Sequence, residues 1–490
     1  YYIRNGSSAN NVPYDNGQQF GAYHANTVFT FTFTQRERVL DWSAARTGGI
    51  AATVTGSAPI ESGTMGSVRF FVSGTDPGGL PSNNLYFNNF TFQTAPRSGE
   101  PLTLGERRMP GTVPSNLLRF SDPVASAVSF RYRGDGFTQD FPLTKNGDVW
   151  ELDVTTIPIA PGWHDFKFLL NGNWESGANR WLWIDENGKV AQPPAVYLTW
   201  TTDPTSTMTV QWHNLSAAAN TLRHRPAGSQ GAWTTLAAAG SVPFPHTERR
   251  IHTVQITGLQ PGADYEFEVD GYTEIYRFRT MPATLIAPLR FGVGGDVNVG
   301  PLPDAMTAAI AAKDPAFLVV GGDIAYADGQ AANFWKWLRY LESWHRNARA
   351  PDGRLIPAVT VIGNHEVRNG YGQFHPDYDG TAAWRLRCAP YFYRCFAFPG
   401  TSGRGLLDFG DYLSLIILDS DHSTRIVDQN AWLQTTLDAR RSRPHLFPIY
   451  HVPAWPSARS FDDEFAVRVR QNWVPLFEQA GVHLSFEHHD

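Results

Sequence analysis

The 490-residue chain is poor in cysteine, with only two, and in methionine, with five. It contains no apolar run of ~18 or more residues, so the sequence predicts no membrane-spanning helix. Its formal net charge of −6 argues against a groove that binds nucleic acid through the phosphates. The first residues, YYIRNG, lack the pattern of a secretory signal peptide, which either was removed or never existed.

The two cysteines, Cys388 and Cys395, lie close together in the segment RCAPYFYRC. Their spacing excludes a CxxC metal clip. Two interpretations stay open: both are free thiols in a core, or a local disulfide joins them and closes a short loop. The disulfide would imply an oxidising compartment.

The length exceeds what one hydrophobic core supports, and about three to four domains are expected. Residues 1–118 contain short runs such as VFTFTFT, in which aromatic residues and threonines alternate, and clusters of Gly, Asn and Pro separate these runs from others such as VRFFVSG and LYFNNFTF. This pattern predicts a β-sandwich or jelly-roll-like module. No group of titratable residues in it indicates a function.

Residues 119–193 form a second predicted β unit, in which Asn-Gly turns separate the strands. The runs NGDVWELDV, GWHDFKFLLNGNWE and RWLWIDENGKV resemble the early-set β-sandwich modules of the glycogen- and starch-binding type. In that family exposed tryptophans stack on sugar rings, so the resemblance offers Trp163, Trp174 and Trp181 as sugar-binding residues. The alternative is that most of these tryptophans pack in a core or against a neighbouring domain.

Residues 194–284 contain the run VQITGLQPGADYEFEV, in which a tyrosine follows a Leu-x-Pro-Gly turn. A buried tyrosine in this position is the tyrosine corner of a Greek-key sandwich. The segment resembles a fibronectin type III domain, with Leu259, Pro261, Gly262 and Tyr265 in the pattern positions.

From residue 285 the pattern changes to strands that alternate with helices. Residues 302–313 and 331–346 have helical periodicity, and the short runs FLVV, AVTVIG, LSLIILD and LFPIYH are typical of strands. This pattern predicts an α/β domain over residues 285–490. Its chemistry is expected in the loops that follow the strands.

Five polar blocks follow the predicted strands of this domain. They are GGDVN with Asp296, GGDIAY with Asp323 and Tyr326, GNHE with Asn364 and His365, YH with His451, and FEHHD with His488 and His489. Each block alone is a weak signal, because Gly-Asp after a strand is usually a turn. Five of them in one α/β domain predict a metal site, since strand ends gather side chains at one edge of a sheet.

The blocks resemble those of the calcineurin-like metallophosphoesterases and, within them, the purple acid phosphatases. The resemblance covers residues 194–490, because the fibronectin-like module before the α/β domain is part of that arrangement. It implies two metal ions, Fe(III) with Zn, Mn or Fe(II), which suit mixed oxygen and nitrogen donors. In the family's pattern Asp323 would bridge the ions and Asp296 would bind the first. Asn364 and His451 would bind the second.

Tyr326 points to the purple acid phosphatases in particular. Most metallophosphoesterases have a histidine two residues after the first aspartate, where this chain has Asn298. Purple acid phosphatases instead hold Fe(III) with a phenolate, which Tyr326 would supply. Asn298 and His365 are candidate substrate-binding residues, and His365 could also protonate the leaving oxygen. The family's further substrate-binding histidines are absent from HVPAWPSARSFDDEF, the tract that begins at His451.

The family's G-H-x-H block corresponds to FEHHD at the end of the sequence. The better fit makes His489 the first histidine of the block, a ligand of the second metal, with His488 in the glycine position. The chain is then expected to stop one residue short of a first-metal ligand and before the final strand of the sheet. In the alternative, His488 is the ligand and the block has diverged.

We therefore expect a multidomain protein with three N-terminal all-β sandwich modules and an α/β metallophosphoesterase domain of βαβαβ type with two packed mixed sheets. The resemblance implies hydrolysis of phosphate monoesters by a metal-bound hydroxide that attacks phosphorus in line. We expect a secreted, periplasmic or cell-surface location. Two alternatives stay open: a phosphodiesterase or nucleotide hydrolase, and a surface- or carbohydrate-binding protein with a degenerate phosphatase domain.

Overall fold

The computed structural model describes the backbone of the strands before residue 60, and residues 114–490 except 178, 219, 373–375 and 402. The chain divides into two compact units, Tyr1–Glu106 and Arg107–Asp490. The strands described in the first unit are β1 (Tyr2–Arg4), β2 (Asn11–Pro13), β3 (Val28–Arg36), β4 (Val39–Thr47) and β5 (Ala52–Pro59). Strands β3, β4 and β5 form an antiparallel sheet, and β1 pairs with β2. The predicted strand VFTFTFT lies within β3 and is confirmed, whereas VRFFVSG and LYFNNFTF lie outside the described residues.

The second unit begins with a β module built from two antiparallel sheets. Its strands are β6 (Leu117–Ser121), β7 (Val128–Tyr132), β8 (Phe141–Pro142), β9 (Thr144–Asn146), β10 (Val149–Asp153), β11 (Gly162–Leu170), β12 (Asn173–Trp174), β13 (Arg180–Ile184) and β14 (Val190–Ala191). One sheet has the order β6-β10-β9, and the other has the order β14-β13-β11-β7-β8 with β12 beside β11. Alternate residues of both sheets, such as Trp150 and Phe130, share one buried core, which makes the module a sandwich.

A second sandwich follows. Its strands are β15 (Val196–Thr199), β16 (Met208–Asn214), β17 (Thr221–Pro226), β18 (Thr234–Ala237), β19 (Ser241–Pro243), β20 (Arg250–Ile256), β21 (Asp264–Val269) and β22 (Tyr276–Arg279). They form the sheets β15-β16-β20-β19 and β18-β17-β21-β22. The Gln260 backbone N–H donates a 2.9 Å hydrogen bond to the buried Tyr265 hydroxyl. The predicted tyrosine corner is confirmed.

The remainder is an α/β domain. Its strands are β23 (Gly292–Gly294), β24 (Leu318–Val320), β25 (Ala358–Thr360), β26 (Gly400–Thr401), β27 (Arg404–Phe409), β28 (Leu413–Ile417) and β29 (His445–Ile449). Its helices are α1 (Pro301–Ala311), α2 (Phe334–Asn347), α3 (Ala382–Cys388), α4 (Phe392–Cys395), α5 (Ile426–Asp438), α6 (Glu464–Asn472) and α7 (Val474–Ala480). The α/β prediction is confirmed, and the two predicted helices correspond to α1 and α2.

Two sheets position the functional residues of this domain. Strands β23, β24 and β25 are parallel, and β26-β27-β28-β29 is a mixed sheet in which β28 and β29 are parallel. A parallel bridge between Ile449 and Phe486 places the last residues beside the end of β29. Residues of both sheets and of the second sandwich share one apolar core. Among the described residues, no helix is long and apolar enough to span a membrane.

Candidate metal centre

Side chains from three strand ends and from the C-terminal segment converge at one edge of the α/β domain. Ligand atoms of Asp296, Asp323, His451 and His489 all lie within 4.8 Å of one another. His451 Nε2 is 3.2 Å from Asp323 Oδ2 and 3.0 Å from His489 Nδ1. Asp296 is exposed and the other three are buried, so the cluster is open to solvent on the side of Asp296.

The backbone at both aspartates explains why they can point at a common centre. Asp296 and Asp323 have left-handed φ angles of 53° and 52°, a region in which Asp is several-fold enriched. The two loops are joined, because Asp296 N donates to Gly322 O at 3.0 Å and Val297 N donates to Asp323 O at 2.9 Å. A Cβ atom added at Gly363 would overlap the Asp323 carboxylate, so the glycine of GNHE is required by close approach.

The two imidazoles of the cluster are each anchored by the ring nitrogen that faces away from it. His451 Nδ1 lies 2.8 Å from the Gly321 carbonyl, which can only accept, so Nδ1 carries the proton and Nε2 faces the cluster. His489 Nε2 lies 3.3 Å from the Tyr371 hydroxyl, and its Nδ1 faces the cluster. A hydrogen bond on the far nitrogen is the usual way in which proteins orient a histidine ligand.

The electrostatics of the cluster also fit a cation. Burial alone would raise the pKa of Asp323, but hydrogen bonds with His451 and with the His365 backbone N–H lower it to about 2. Burial, followed by the positive charges of His451 and Arg459, lowers the pKa of His489 to about 4. The cluster therefore offers an ionised carboxylate at Asp323 and a neutral imidazole at His489, the forms that bind metals. Burial lowers the pKa of His451, but the hydrogen bond with Asp323 outweighs it and raises that pKa, so a cation would compete with a proton for His451 Nε2. This set of oxygen and nitrogen donors suits the iron, zinc and manganese ions that the resemblance implies.

Asn364 and Tyr326 border this cluster. Asn364 Oδ1 is 3.1 Å from His451 Nε2, which places the amide oxygen beside the imidazole ligand. The Tyr326 hydroxyl donates to Asp296 Oδ1 at 3.3 Å, and burial followed by the charge of Asp296 raises the pKa of this phenol. The structure thus brings every predicted ligand type to one place.

His365 lies at the rim of the cluster. Its ring stacks on Tyr326 with the ring centres 4.1 Å apart, and its Nδ1 is hydrogen-bonded to the Asp328 carboxylate. Burial opposes protonation of His365, but the hydrogen bond with Asp328 and the charge of Asp323 outweigh it and raise its pKa. Sequence reasoning missed Asp328, although it ends the same GGDIAYAD tract that supplies Asp323.

Glu366, the last residue of GNHE, was also missed. It is fully buried, and its carboxylate accepts hydrogen bonds from the backbone N–H groups of Asp323, Ile324 and Gly363 at 2.8 to 2.9 Å. These contacts join the loop after β24 to the loop after β25. Burial and the nearby charge of Asp323 raise the pKa of Glu366 to about 7.

The structure places His489, and not His488, in the cluster. The His488 ring packs against Gly321 and Gly295, so closely that a Cβ at either glycine would overlap it. His488 Nε2 is buried and, among the described residues, has no hydrogen-bond partner. The arrangement agrees with the preferred alignment of FEHHD. Asn298 is exposed outside the cluster, and its Oδ1 accepts from the N–H of its neighbour Val299.

The cysteines are not joined. Cys388 and Cys395 are both buried free thiols, so the structure has the first of the two interpretations and not the disulfide. Each packs within the apolar core around α3 and α4. Burial raises the pKa of both thiols, to about 12 for Cys388.

Two of the three predicted sugar-binding tryptophans are engaged in packing. Trp181 stacks on Trp335 of α2, with ring centres 3.9 Å apart and planes within 13°. Trp163 Nε1 donates to the buried Glu342 carboxylate of α2 at 3.1 Å. Only Trp174 of the three is exposed, with 47% of its surface accessible. Trp163 and Trp181 thus contact α2, as the packing alternative expects, and sugar binding by these tryptophans stays a prediction.

Comparison with known families agrees with this site. Residues 289–484 match the family model of the calcineurin-like phosphoesterases, and residues 193–280 match that of the purple acid phosphatase N-terminal domain. The α/β domain is therefore a metallophosphoesterase domain, of a class that holds a dinuclear metal site. Together with the preceding sandwich, it forms the pair of domains of a purple acid phosphatase-like metallophosphoesterase, as the motifs of residues 194–490 predicted.

Individual relatives are distant. The uncharacterized protein Rv2577 of Mycobacterium tuberculosis H37Rv is 26% identical over 349 residues, 62% of this chain and 63% of that protein, and MT2654 of strain CDC 1551 gives the same values. Purple acid phosphatase 21 of Arabidopsis thaliana is 25% identical over 254 residues, 50% of this chain and 53% of that protein. The chain thus spans less than two thirds of these relatives. The solved structure of a type I pullulanase from Bacillus subtilis matches 42% of this chain and 36% of the pullulanase chain at 8% identity. Its TM-score of 0.14 is too low to indicate a shared fold.

Proposed function

We propose that this protein is a dinuclear metal-dependent phosphatase that hydrolyses phosphate monoesters. The observation that carries the proposal is the convergence of Asp296, Asp323, His451 and His489 within 4.8 Å. Asn364 and Tyr326 border this cluster and complete a mixed oxygen and nitrogen donor set. The family matches support phosphoester chemistry, and the preference for monoesters is our own step.

The residues of the chain have separable roles in this proposal. Asp296, Asp323, Asn364, His451 and His489 would hold two ions, which when bound would activate a water molecule and neutralise phosphoryl charge. Around them, the backbone ties of the two aspartate loops fix the direction of the carboxylates before substrate arrives.

His365 would hold a proton at the mouth of the site. Its Nδ1 is occupied by Asp328, and its Nε2 lies 3.8 Å from Asp323 Oδ2. The raised pKa keeps the imidazole protonated to higher pH, so that Nε2–H can donate to a phosphoryl oxygen or to the leaving oxygen. Asp328 would act as a positioning residue for this ring.

We propose that the ions are Fe(III) with Zn, Mn or Fe(II), because Tyr326 donates its hydroxyl to Asp296 and so places a phenol oxygen beside a metal-ligand carboxylate. The iron-loaded protein is expected to show a visible charge-transfer band that Tyr326→Phe abolishes. A colourless iron-loaded wild type would remove the iron assignment and leave the phosphoesterase assignment intact.

Substrate class is tested with p-nitrophenyl phosphate and bis-p-nitrophenyl phosphate, each assayed with the metal-loaded and the chelated protein. We expect faster, metal-dependent hydrolysis of the monoester. Preference for the diester would favour a phosphodiesterase or nucleotide hydrolase. No hydrolysis of either ester by protein with bound metals would favour the surface-binding alternative. The extracytoplasmic location stays a prediction, to which the free thiols lend no support.

A further inference from the structure

A loop that follows the ligand His451 is held against the last residues of the chain. Ala454 N donates to Glu487 Oε2 at 3.2 Å. The Asp490 carboxylate accepts from the N–H groups of Ser457, Ala458 and Arg459, the last two at 2.9 and 3.1 Å. Through these contacts the loop, residues 452–462, is fixed beside the cluster that His489 enters.

Arg459 is the cation that this loop presents next to the cluster. Its Nε donates to the His489 carbonyl at 2.8 Å, which ties the guanidinium to a residue whose ring lies among the ligands. Neither Nη group of Arg459 has a protein partner among the described residues, and the Asp490 carboxylate is occupied by backbone N–H groups. The side chain is exposed, so both Nη groups are accessible to a ligand.

The Arg459 guanidinium has an electrostatic effect on the ligand His489. After burial and His451, the charge of Arg459 is the next cause of the low pKa of His489. On the same side, the Tyr371 hydroxyl lies 3.3 Å from His489 Nε2, and its ring stacks on Phe465 at 3.5 Å. A cation with two open Nη groups therefore borders the cluster at His489, whereas His365 borders it at Asp323.

We propose that Arg459 binds a non-bridging oxygen of the substrate phosphate and selects monoesters over diesters. The inference rests on the proposed phosphatase function. A monoester dianion has three non-bridging oxygens, whereas a diester has two and carries one charge fewer. A planar guanidinium with two parallel N–H donors is suited to the additional oxygen and charge.

The test compares Arg459→Ala and Arg459→Lys with the wild-type full chain, loaded with metal. A charge-assisted hydrogen bond predicts that Arg459→Ala raises KM for p-nitrophenyl phosphate about 10- to 100-fold. The kcat/KM for bis-p-nitrophenyl phosphate is expected to change much less. Arg459→Lys keeps the charge but loses the fork, so we expect it to restore part of the affinity.

Arg441→Ala is the matched control. Arg441 is half exposed and pairs with Asp438 at the end of α5. It precedes β29, whereas the ligand His451 follows β29, so Arg441 lies at the opposite end of that strand from the cluster. Arg441→Ala should leave the KM and kcat/KM for both esters unchanged. Metal content and the melting temperature, measured on every variant, show whether the loop still folds.

Calorimetric binding of inorganic phosphate to the metal-loaded protein separates this inference from the phosphatase proposal. If the protein binds phosphate through Arg459 but hydrolyses neither ester, the result supports phosphate binding by Arg459 and contradicts the proposed phosphatase activity. Hydrolysis with an unchanged KM and phosphate affinity in Arg459→Ala overturns the inference alone. Equal losses for both esters also overturn it, because they indicate a role in loop structure. A protein that neither hydrolyses an ester nor binds phosphate overturns both.

Discussion

The metal cluster and the tryptophan-bearing sheet of the β module both held candidate functional residues, yet the structure uses them differently. At the cluster, side chains from three strand ends and the C-terminal segment converge on one point. In the sheet, Trp181 stacks on Trp335 and Trp163 donates to Glu342, so α2 occupies the face on which a sugar would lie.

The difference follows from what each side chain loses on burial. A buried carboxylate or imidazole needs a specific partner, because a charge without one is costly. Asp323 and His451 therefore indicate that further ligands lie nearby. Burial of an indole ring contributes about 25 cal/mol per Å² of apolar surface removed from water, whichever apolar neighbour covers it. The presence of a tryptophan in a motif therefore does not indicate what covers the ring.

The largest effect is expected from Asp323→Asn, which removes one of the two carboxylates at the centre of the cluster. Outer partners of metal ligands typically contribute about 10- to 100-fold to affinity or activity, and we expect loss of this ligand to exceed that range. Metal content and kcat/KM are the measurements. Asp408→Asn is the control, since Asp408 pairs with Arg440 away from the cluster. Retention of both metals in Asp323→Asn would contradict the assignment.

Asp328→Asn should have a smaller effect that depends on pH. Asp328 raises the pKa of His365, so its removal lowers that pKa. If His365 acts in its protonated form, activity is lost as pH rises through its pKa, and this loss moves to lower pH in Asp328→Asn. We expect kcat to fall about 10- to 100-fold at the wild-type optimum.

A kcat–pH profile of wild type, Asp328→Asn and His365→Ala checks this expectation. In His365→Ala the basic limb should be absent, because the titrating group is gone. A basic limb at the same pH in all three proteins would show that another group titrates.

The sequence was sufficient for the α/β domain and for most of the cluster, because apolar strands and the polar residues after them are local patterns. Asp296, Asp323 and His451 could be named before their distances were known. Glu366 could not be assigned a role, since its carboxylate serves the N–H groups of Asp323 and Ile324, which are distant in sequence. Such backbone contacts are decided by tertiary approach and leave no composition signal.

The β module shows the same limit for apolar residues. Its strands were predicted from alternation and Asn-Gly turns, but the partner of each tryptophan was not. The stack of Trp181 on Trp335 depends on how α2 packs against the sheet, which periodicity within β13 does not encode. For the cysteines, close spacing allowed a disulfide, whereas the structure has two buried free thiols.

Trp181→Ala tests whether this packing stabilises the protein. We expect the free energy of unfolding to fall by about 1–3 kcal/mol, because a large half-buried ring and its stack are lost. A double-mutant cycle with Trp335→Ala should give a coupling energy of about 0.5–1.5 kcal/mol. Additive effects of the two substitutions would mean that the rings do not stabilise each other.

The smallest effect on stability, and the sharpest test of the sugar-binding hypothesis, is expected from Trp174→Ala. Trp174 is exposed, and its neighbours are Arg131, 5.3 Å from the ring centre, and the edge-on ring of Phe137 at 6.0 Å. Its removal should change the free energy of unfolding by no more than about 0.5 kcal/mol. Because Trp163 and Trp181 both contact α2, we expect a sugar bound through these three residues to stack on the exposed Trp174. Retardation of the protein in glycogen or starch gels should therefore be lost in Trp174→Ala and kept in Trp181→Ala. Retardation that survives in Trp174→Ala would place the sugar elsewhere, and a wild type that neither gel retards would leave the module with the packing role alone.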